Sequence, residues 1–259
     1  MMKIFAGGSK TINNIVDLSN RRVLDVATYY GDEILVGDCD GADAAIQKYL
    51  AKDGYPFVTV YVSGEKVRNN IGDWPVKHVV FDPTLTGYDF RRQKDIQMAL
   101  DCDSAVMAWD GKSKGTRQNI IDVIALGKRV ENILWKNELD EWYCLDGSID
   151  GELIFGKGDL PGKIKIWLDD IRPAPDGYYH CRSVNEAKLY IGTAERYDID
   201  ISVIDCDHDL GIYARLGGDG IKLLDWLAER GTFYPVELHT MNAVGYSNMR
   251  RMIERYWLK

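Results

Sequence analysis

Along residues 1–135 the apolar positions fall in short continuous runs, and the stretches between them carry apolar residues at helical spacing. Residues 3–6, 33–36, 57–62, 76–81, 104–109 and 130–135 read as strands, several too uniformly apolar to have a solvent face. Helices are expected from near Gly41, over 90–100 and over 116–126. Alternating strand and helix predict a mostly parallel, doubly wound α/β sheet with helices on both faces. Ligands of such sheets bind beyond the carboxyl ends of the strands.

Residues 136–161 break this pattern. Two apolar runs flank Asp146-Gly147 and Asp150-Gly151, and a Gly-Lys-Gly-Asp-Leu-Pro-Gly stretch starts at Gly156, which suggests a β-hairpin and then a linker. A second series follows over 162–259. Its strands are expected at 164–168, 201–205 and 236–240. Its helices are expected from the Ser183 cap to 191, over 218–230, and from Asn242 or Ser247 to the end. The chain therefore reads as a larger α/β domain over 1–135 and a smaller one over 162–259. It shows no internal repeat.

Composition narrows the function classes. Asp and Glu outnumber Lys and Arg by 40 to 32, a net charge of −8, which argues against broad binding to duplex nucleic acid. A small positive pocket remains compatible with that balance. The five cysteines, Cys39, Cys102, Cys144, Cys181 and Cys206, are odd in number and show no CxxC spacing. They read as reduced thiols of a cytoplasmic protein, without a zinc knuckle or a disulfide framework. No apolar run approaches the roughly 20 residues that span a bilayer, and the first residues lack the apolar core of a signal peptide. Homo-oligomerisation stays open.

Three Gly-rich turns follow strands of the first domain: Gly7-Gly8-Ser9, the run from Gly37 through Gly41 to Asp43, and the run from Gly111 through Gly115 to Thr116. Glycine lets backbone N–H groups approach a phosphate closely, and a helix N-terminus adds a favourable dipole. Each turn alone is explained by strand-to-helix geometry. The three on one sheet edge point to a phosphate-bearing ligand. In the second domain, acidic and imidazole side chains end three successive strands: Asp169-Asp170, then Asp205-Cys206-Asp207-His208-Asp209, then His239-Thr240. Adjacent carboxylates repel, so such a rim needs a cation or raised pKa values. Oxygen ligands with histidine suit Mg²⁺ or Mn²⁺, with Asp169, Asp170 and Asp205 as candidate ligands. Without metal, His208 and His239 offer an acid–base pair for a phosphodiester. Singly, Asp169, Asp205 and Asp209 are better explained as turn or helix caps, and it is the whole set that favours function.

The segments FAGGSK, GDCDGADAAIQKYL and RRQKDIQMALDCDSAVMAWDGKSKGTRQNIIDVIALGK resemble the SLOG superfamily, the Rossmann-like group that includes DprA and the LONELY GUY phosphoribohydrolases. The resemblance implies binding of a nucleotide or nucleotide-derived signal. Gly7, Gly8, Gly41, Asp43, Gly115 and Thr116 fit the pattern, with Met98 and Asp103. The phosphoribohydrolases place an arginine four residues before the matching methionine, where this chain has Lys94, with Arg91 and Arg92 about one turn away. They also carry a glutamate just after the Gly-Thr, where this chain reads Arg117-Gln118-Asn119. The missing carboxylate favours ligand binding over glycosidic cleavage in this half.

IWLDDIRPAP, ISVIDCDHDLG and VELHTMN resemble the receiver fold, and more closely the receiver-like family named for processing cyclic phosphates. That resemblance implies action on cyclic phosphate ends of RNA or nucleotides. A signalling receiver also needs a lysine after a further strand, whereas this chain ends in a helix at Lys259, so aspartyl-phosphate signalling is the weaker expectation. Asp169, Asp170, Asp205, His208, Asp209, His239 and Thr240 are then the candidate catalytic set. The first reading is a cyclic phosphodiesterase or phosphohydrolase acting on a nucleotide-derived small molecule such as a cyclic phosphate of ADP-ribose. The competing reading is a non-catalytic sensor or sequestering protein for a signalling nucleotide. A third, RNA-end processing, would draw on Arg250, Arg251 and Arg255. Such domain pairing suits a phage or bacterial conflict system by association alone.

Overall fold

The runs without a polar face become the inner strands of a parallel sheet. The computed structural model describes residues 1–15, 19–136, 142–145, 151–155 and 159–258, and the chain divides into two units, Met1–Ser148 and Ile149–Lys259. In the first unit, strands β1 (Lys3–Gly8), β2 (Glu33–Gly37), β3 (Val58–Ser63), β4 (Val76–Val79), β5 (Ser104–Trp109), β6 (Arg129–Lys136) and β7 (Trp142–Leu145) form one sheet in the order β4-β3-β2-β1-β5-β6-β7. Every pairing is parallel except β6 with β7, which is antiparallel. All six residues of β5 are buried, as expected of a strand covered on both faces.

Helices α1 (Ser19–Tyr30), α2 (Ala42–Lys52), α3 (Gly87–Asp101) and α4 (Lys114–Ala125) connect the strands. The sequence pattern gave no expectation of α1. Its apolar contribution is short: Leu24 and Ala27 enter the core, while Tyr29 and Tyr30 stand exposed. Ser113 caps α4 by accepting from Thr116 N. Gly41 begins α2 at φ 80°, and a Cβ there would lie 2.4 Å from Lys10 Cα, so that turn requires glycine. The chain builds outward from β1 to β4, then returns through α3 to β5 on the other side of β1. The order of the sheet therefore reverses at β1 and β5, where ligands of doubly wound sheets bind.

The segment expected as hairpin and linker divides. Trp142–Leu145 pairs with β6 in the first unit's sheet, and Gly151–Phe155 forms a short helix, α5, of the second unit. The turns at 146–150 and the glycines at 156 and 158 lie outside the described residues.

The second unit holds β8 (Lys163–Leu168), β9 (Tyr179–Cys181), β10 (Asp200–Cys206) and β11 (Val236–Leu238), all parallel, in the order β11-β10-β8-β9. Helices α6 (Val184–Arg196), α7 (Ile221–Arg230) and α8 (Ala243–Tyr256) accompany it, with a 3₁₀ turn at Gly211–Arg215. β9 has only three residues, too few to show a period in sequence. Ser183 caps α6 by accepting from Glu186 N, and Asn242, not Ser247, caps α8 by accepting from Gly245 N. Ile164, Ile166 and Leu168 alternate into the core. Among the described residues no helix is long and apolar enough to cross a membrane, and Cys39, Cys102, Cys181 and Cys206 are free thiols.

The close packing of β1 on β5 is testable. A Cβ on Gly8 would lie 2.2 Å from Ala108 O and 2.8 Å from the Ala42 Cβ. Gly8→Ala should destabilise the protein by ~1–3 kcal/mol through overpacking, read as a lower urea midpoint at unchanged slope.

Candidate functional site

In the second unit, strand register assembles the site. Trp167 on β8 lies opposite Asp205 on β10, which lies opposite Glu237 on β11. One pleat further, Asp207 N donates to Leu168 O and His239 N donates to Cys206 O, so the ladder continues past the strand ends. Because side chains alternate with period two, Trp167 and Asp169, Asp205 and Asp207, and His239 share one face.

His239 is held on three sides. Its ring stacks on Trp167 with centroids 3.6 Å apart and planes within 2°. Its Nδ1 lies 2.6 Å from Asp205 Oδ1, and its Nε2 lies 3.1 Å from Asp169 Oδ2. Both contacts are hydrogen bonds only when the ring carries both protons.

Arg172 closes the cluster. Its Nε donates to Asp169 Oδ2 at 2.6 Å, its Nη2 to Asp207 Oδ2 at 2.5 Å, and its Nη1 to the His239 carbonyl at 2.8 Å. Asp169 Oδ1 accepts from the backbone N–H of Ile171 and of Arg172. Burial would raise the Asp169 pKa, but these backbone bonds and the guanidinium more than offset it and hold the group below the ordinary aspartate value. His180 Nε2 donates to Asp169 O, 2.6 Å away, and burial keeps its pKa below the usual histidine value.

Asp170 follows Asp169 in sequence and therefore takes the other side. A Cβ on Gly211 would lie 2.5 Å from its Oδ2, which places its carboxylate against that turn. Burial, with added repulsion from Asp169 and Asp207, pushes its pKa up to about 6. The expected metal trio is thereby redrawn. Among the described residues, the group whose ligand atoms lie within 4.8 Å of one another is Asp169, Asp207 and His239. Asp170 and Asp205 are not in it.

His208 has a different environment from His239. Its Nδ1 lies 2.7 Å from Asp209 Oδ1, and Asn242 Nδ2 donates to both Asp209 oxygens at 3.1 Å. Asp207 Oδ1 accepts from the backbone N–H of His208, so one carboxylate ties His208 to Arg172. No described residue takes a hydrogen bond at its Nε2. The ring fits because of glycine: a Cβ on Gly245 would lie 2.4 Å from His208 Cγ. Thr240 Oγ1 accepts from Asn242 N and shapes that turn. Sequence reasoning placed Asp207 in the acidic strand end without giving it a role, and missed Trp167 and Gly245. A glycine inside the first turn of a helix was a usable signal, because it costs stability unless something must approach closely.

In the first unit, a cleft of about 220 Å³ opens at the carboxyl ends of β1, β2 and β5, lined among others by Cys39, Asp43, Arg91, Lys94, Asp95 and Gly115. It gathers the three Gly-rich turns, but several expected ligand groups are spent on structure. Ser9 is fully buried, with its Oγ 3.3 Å from Thr116 Oγ1 and accepting from Asp110 N. Gly7 and Gly8 pack closely on neighbouring atoms. Arg92, also buried, pairs with Asp122 and Asn119 between α3 and α4. Lys94 Nζ donates to Asp95 Oδ1 at 2.7 Å. Burial disfavours its charge, but Asp95 and Asp43 outweigh that and raise its pKa. Asp43 accepts from Cys39 N, and burial lifts its pKa to about 6 against the pull of Lys94. A Cβ on Gly37 would meet both Asp43 Oδ2 and Lys94 Nζ, at 2.3 and 2.6 Å. Trp74 and Trp109 are buried packing residues whose indole N–H groups donate to Tyr55 O and Ser113 O, whereas His78 is exposed on β4 with its Nδ1 donating to Gly64 O.

Residues 164–255, all within the second unit, match the family model described as the Cyclic-phosphate processing Receiver domain. No curated protein and no solved structure matches the chain.

Two outcomes test this geometry. Gly245→Ala should displace the His208 ring, read as a shift of its imidazole resonances, although alanine is favoured over glycine in a helix by up to ~1 kcal/mol. Unmoved resonances would refute the close approach. Asp170 has a folded-state pKa of about 6, above its unfolded value, so protonation favours the folded state. Its contribution is fully present below about pH 4 and is lost as pH rises through about 6. Asp170→Asn should therefore raise the melting temperature at pH 7.5 relative to wild type, with the gain gone at pH 4.

Proposed function

We propose that the second unit hydrolyses a cyclic phosphate on a nucleotide-derived small molecule, and that the cleft of the first unit binds a nucleotide moiety. The observation that carries the catalytic part is His208: its Nδ1 is fixed by Asp209, its Nε2 has no hydrogen-bond partner among the described residues, and Asp207 joins it to the Arg172 guanidinium. The match of residues 164–255 to a family described by cyclic-phosphate processing supports the substrate class.

In this reading the anionic phosphate oxygens accept from Arg172, which has five N–H donors and spends three within the site. His208 Nε2 takes a proton from the attacking water as its oxygen bonds to phosphorus. One ring P–O bond breaks, and the leaving oxygen takes a proton from the Asp170 carboxyl, whose raised pKa leaves part of it protonated near neutral pH. The product is a phosphomonoester. His239, engaged at both nitrogens, positions Asp169 and Asp205 rather than moving the proton. Ile171 and Met241, 82% and 91% exposed, offer apolar contacts to the organic part of the substrate.

A second reading is a sensor without turnover. It is favoured by the first unit's cleft, where Arg92 is tied to Asp122 and no glutamate follows the Gly-Thr.

The test incubates the purified protein with a panel of cyclic-phosphate nucleotides and ADP-ribose derivatives and follows products by mass spectrometry. Wild type should yield the monoester, and His208→Ala should lower kcat by roughly 10²–10⁴-fold with KM little changed. Equal rates in variant and wild type would remove His208 from the mechanism. Ligand bound but returned unchanged would favour the sensor.

A further inference from the structure

We propose that the Arg172 guanidinium is the resident cation of the second unit's site, held where the acidic rim would otherwise take a divalent metal. The reading of the site as phosphate-processing gives this cation its purpose, but the geometry stands apart from that reading.

Asp169, Asp207 and His239 bring oxygen and imidazole ligand atoms within 4.8 Å of one another, a donor set chemically suited to Mg²⁺ or Mn²⁺. Those same atoms are already committed. Asp169 Oδ2 accepts from Arg172 Nε at 2.6 Å and also faces His239 Nε2 at 3.1 Å, and Asp207 Oδ2 accepts from Arg172 Nη2 at 2.5 Å. The other Asp169 oxygen accepts two backbone N–H groups, at 2.8 and 2.6 Å. A metal bound between these groups would have to displace the guanidinium and share each carboxylate with its existing donors. The donor set does not fit a resident metal while Arg172 is in place.

Arg172 is not a stray surface side chain that has drifted into the site. Its backbone N–H binds the carboxylate that its Nε binds, and its carbonyl accepts from Trp167 Nε1, the ring that stacks on His239. Its third arm reaches the His239 carbonyl across the sheet rim. Burial disfavours its charge, but Asp169 and Asp207 outweigh that and raise its pKa, so it cannot leave as a neutral group. The arrangement exchanges a metal's spherical charge for a planar donor with N–H groups left for a phosphate oxygen.

The experiment titrates Mn²⁺ into the full chain and reads free Mn²⁺ by electron paramagnetic resonance, with no substrate present. Wild type should bind no Mn²⁺ that depends on Asp207. Arg172→Ala should bind one Mn²⁺ per chain, about tenfold or more tighter than wild type, because the repelling charge is gone. Adding Asp207→Asn to Arg172→Ala should abolish that binding. Stoichiometric Mn²⁺ binding by wild type that is lost in Asp207→Asn overturns the proposal, as does a folded Arg172→Ala that binds no more than wild type. If Arg172→Ala fails to fold, Arg172→Gln takes its place, and the wild-type arm decides independently. Because no turnover is measured, a negative result here is distinct from failure of the hydrolytic reading.

Discussion

Parallel strand pairing is the constraint on which both units depend. In a parallel sheet every strand ends on the same edge, so residues far apart in sequence that follow successive strands become neighbours. Asp169, Asp207 and His239 follow β8, β10 and β11, and the backbone ladder runs one step past the strands to bring them into one row. The same rule gathers Gly8, Cys39 and Gly115 around the first unit's cleft. Antiparallel pairing would have sent alternate strand ends to opposite edges and dispersed both groups.

Gathering carboxylates on one edge creates an electrostatic problem, and the two units meet it differently. The second unit places one guanidinium among Asp169 and Asp207 and an imidazole between Asp169 and Asp205. Asp170, outside that arrangement, has its pKa raised first by burial and further by repulsion from Asp169 and Asp207. The first unit buries Lys94 beside Asp95 and Asp43, and Arg92 beside Asp122. Buried cations that are paired in this way are costly to break, because removing one partner leaves the other desolvated. They line the cleft partly as structure, which leaves the exposed Arg91 as a cation with more freedom to meet a ligand.

Glycine sets how closely these groups can approach. At Gly37, Gly220 and Gly245 a Cβ would collide with Asp43, with the Asp207 carbonyl and with the His208 ring respectively. In each case the missing side chain is the space that a polar group of a site occupies. The glycines of the first unit's turns read in sequence as phosphate contacts. Two of them, Gly8 and Gly41, are required by backbone and helix packing whatever they bind, which is why a glycine count could not separate geometry from binding.

The alternation of elements, their two series and the acidic strand ends were legible in the sequence, because burial on both faces of a parallel sheet demands continuous apolar runs and its turns demand small or polar residues. The short strand β9 and the weakly apolar helix α1 left too little pattern to see. Sequence could not decide which member of the Asp169-Asp170 pair joins His239, nor that Ser9 and Thr116 spend their hydroxyls on each other, nor that Arg172 turns back over its own strand end. Those outcomes are set by register and by contacts between residues tens of positions apart, and only the tertiary structure brings such atoms within hydrogen-bonding distance.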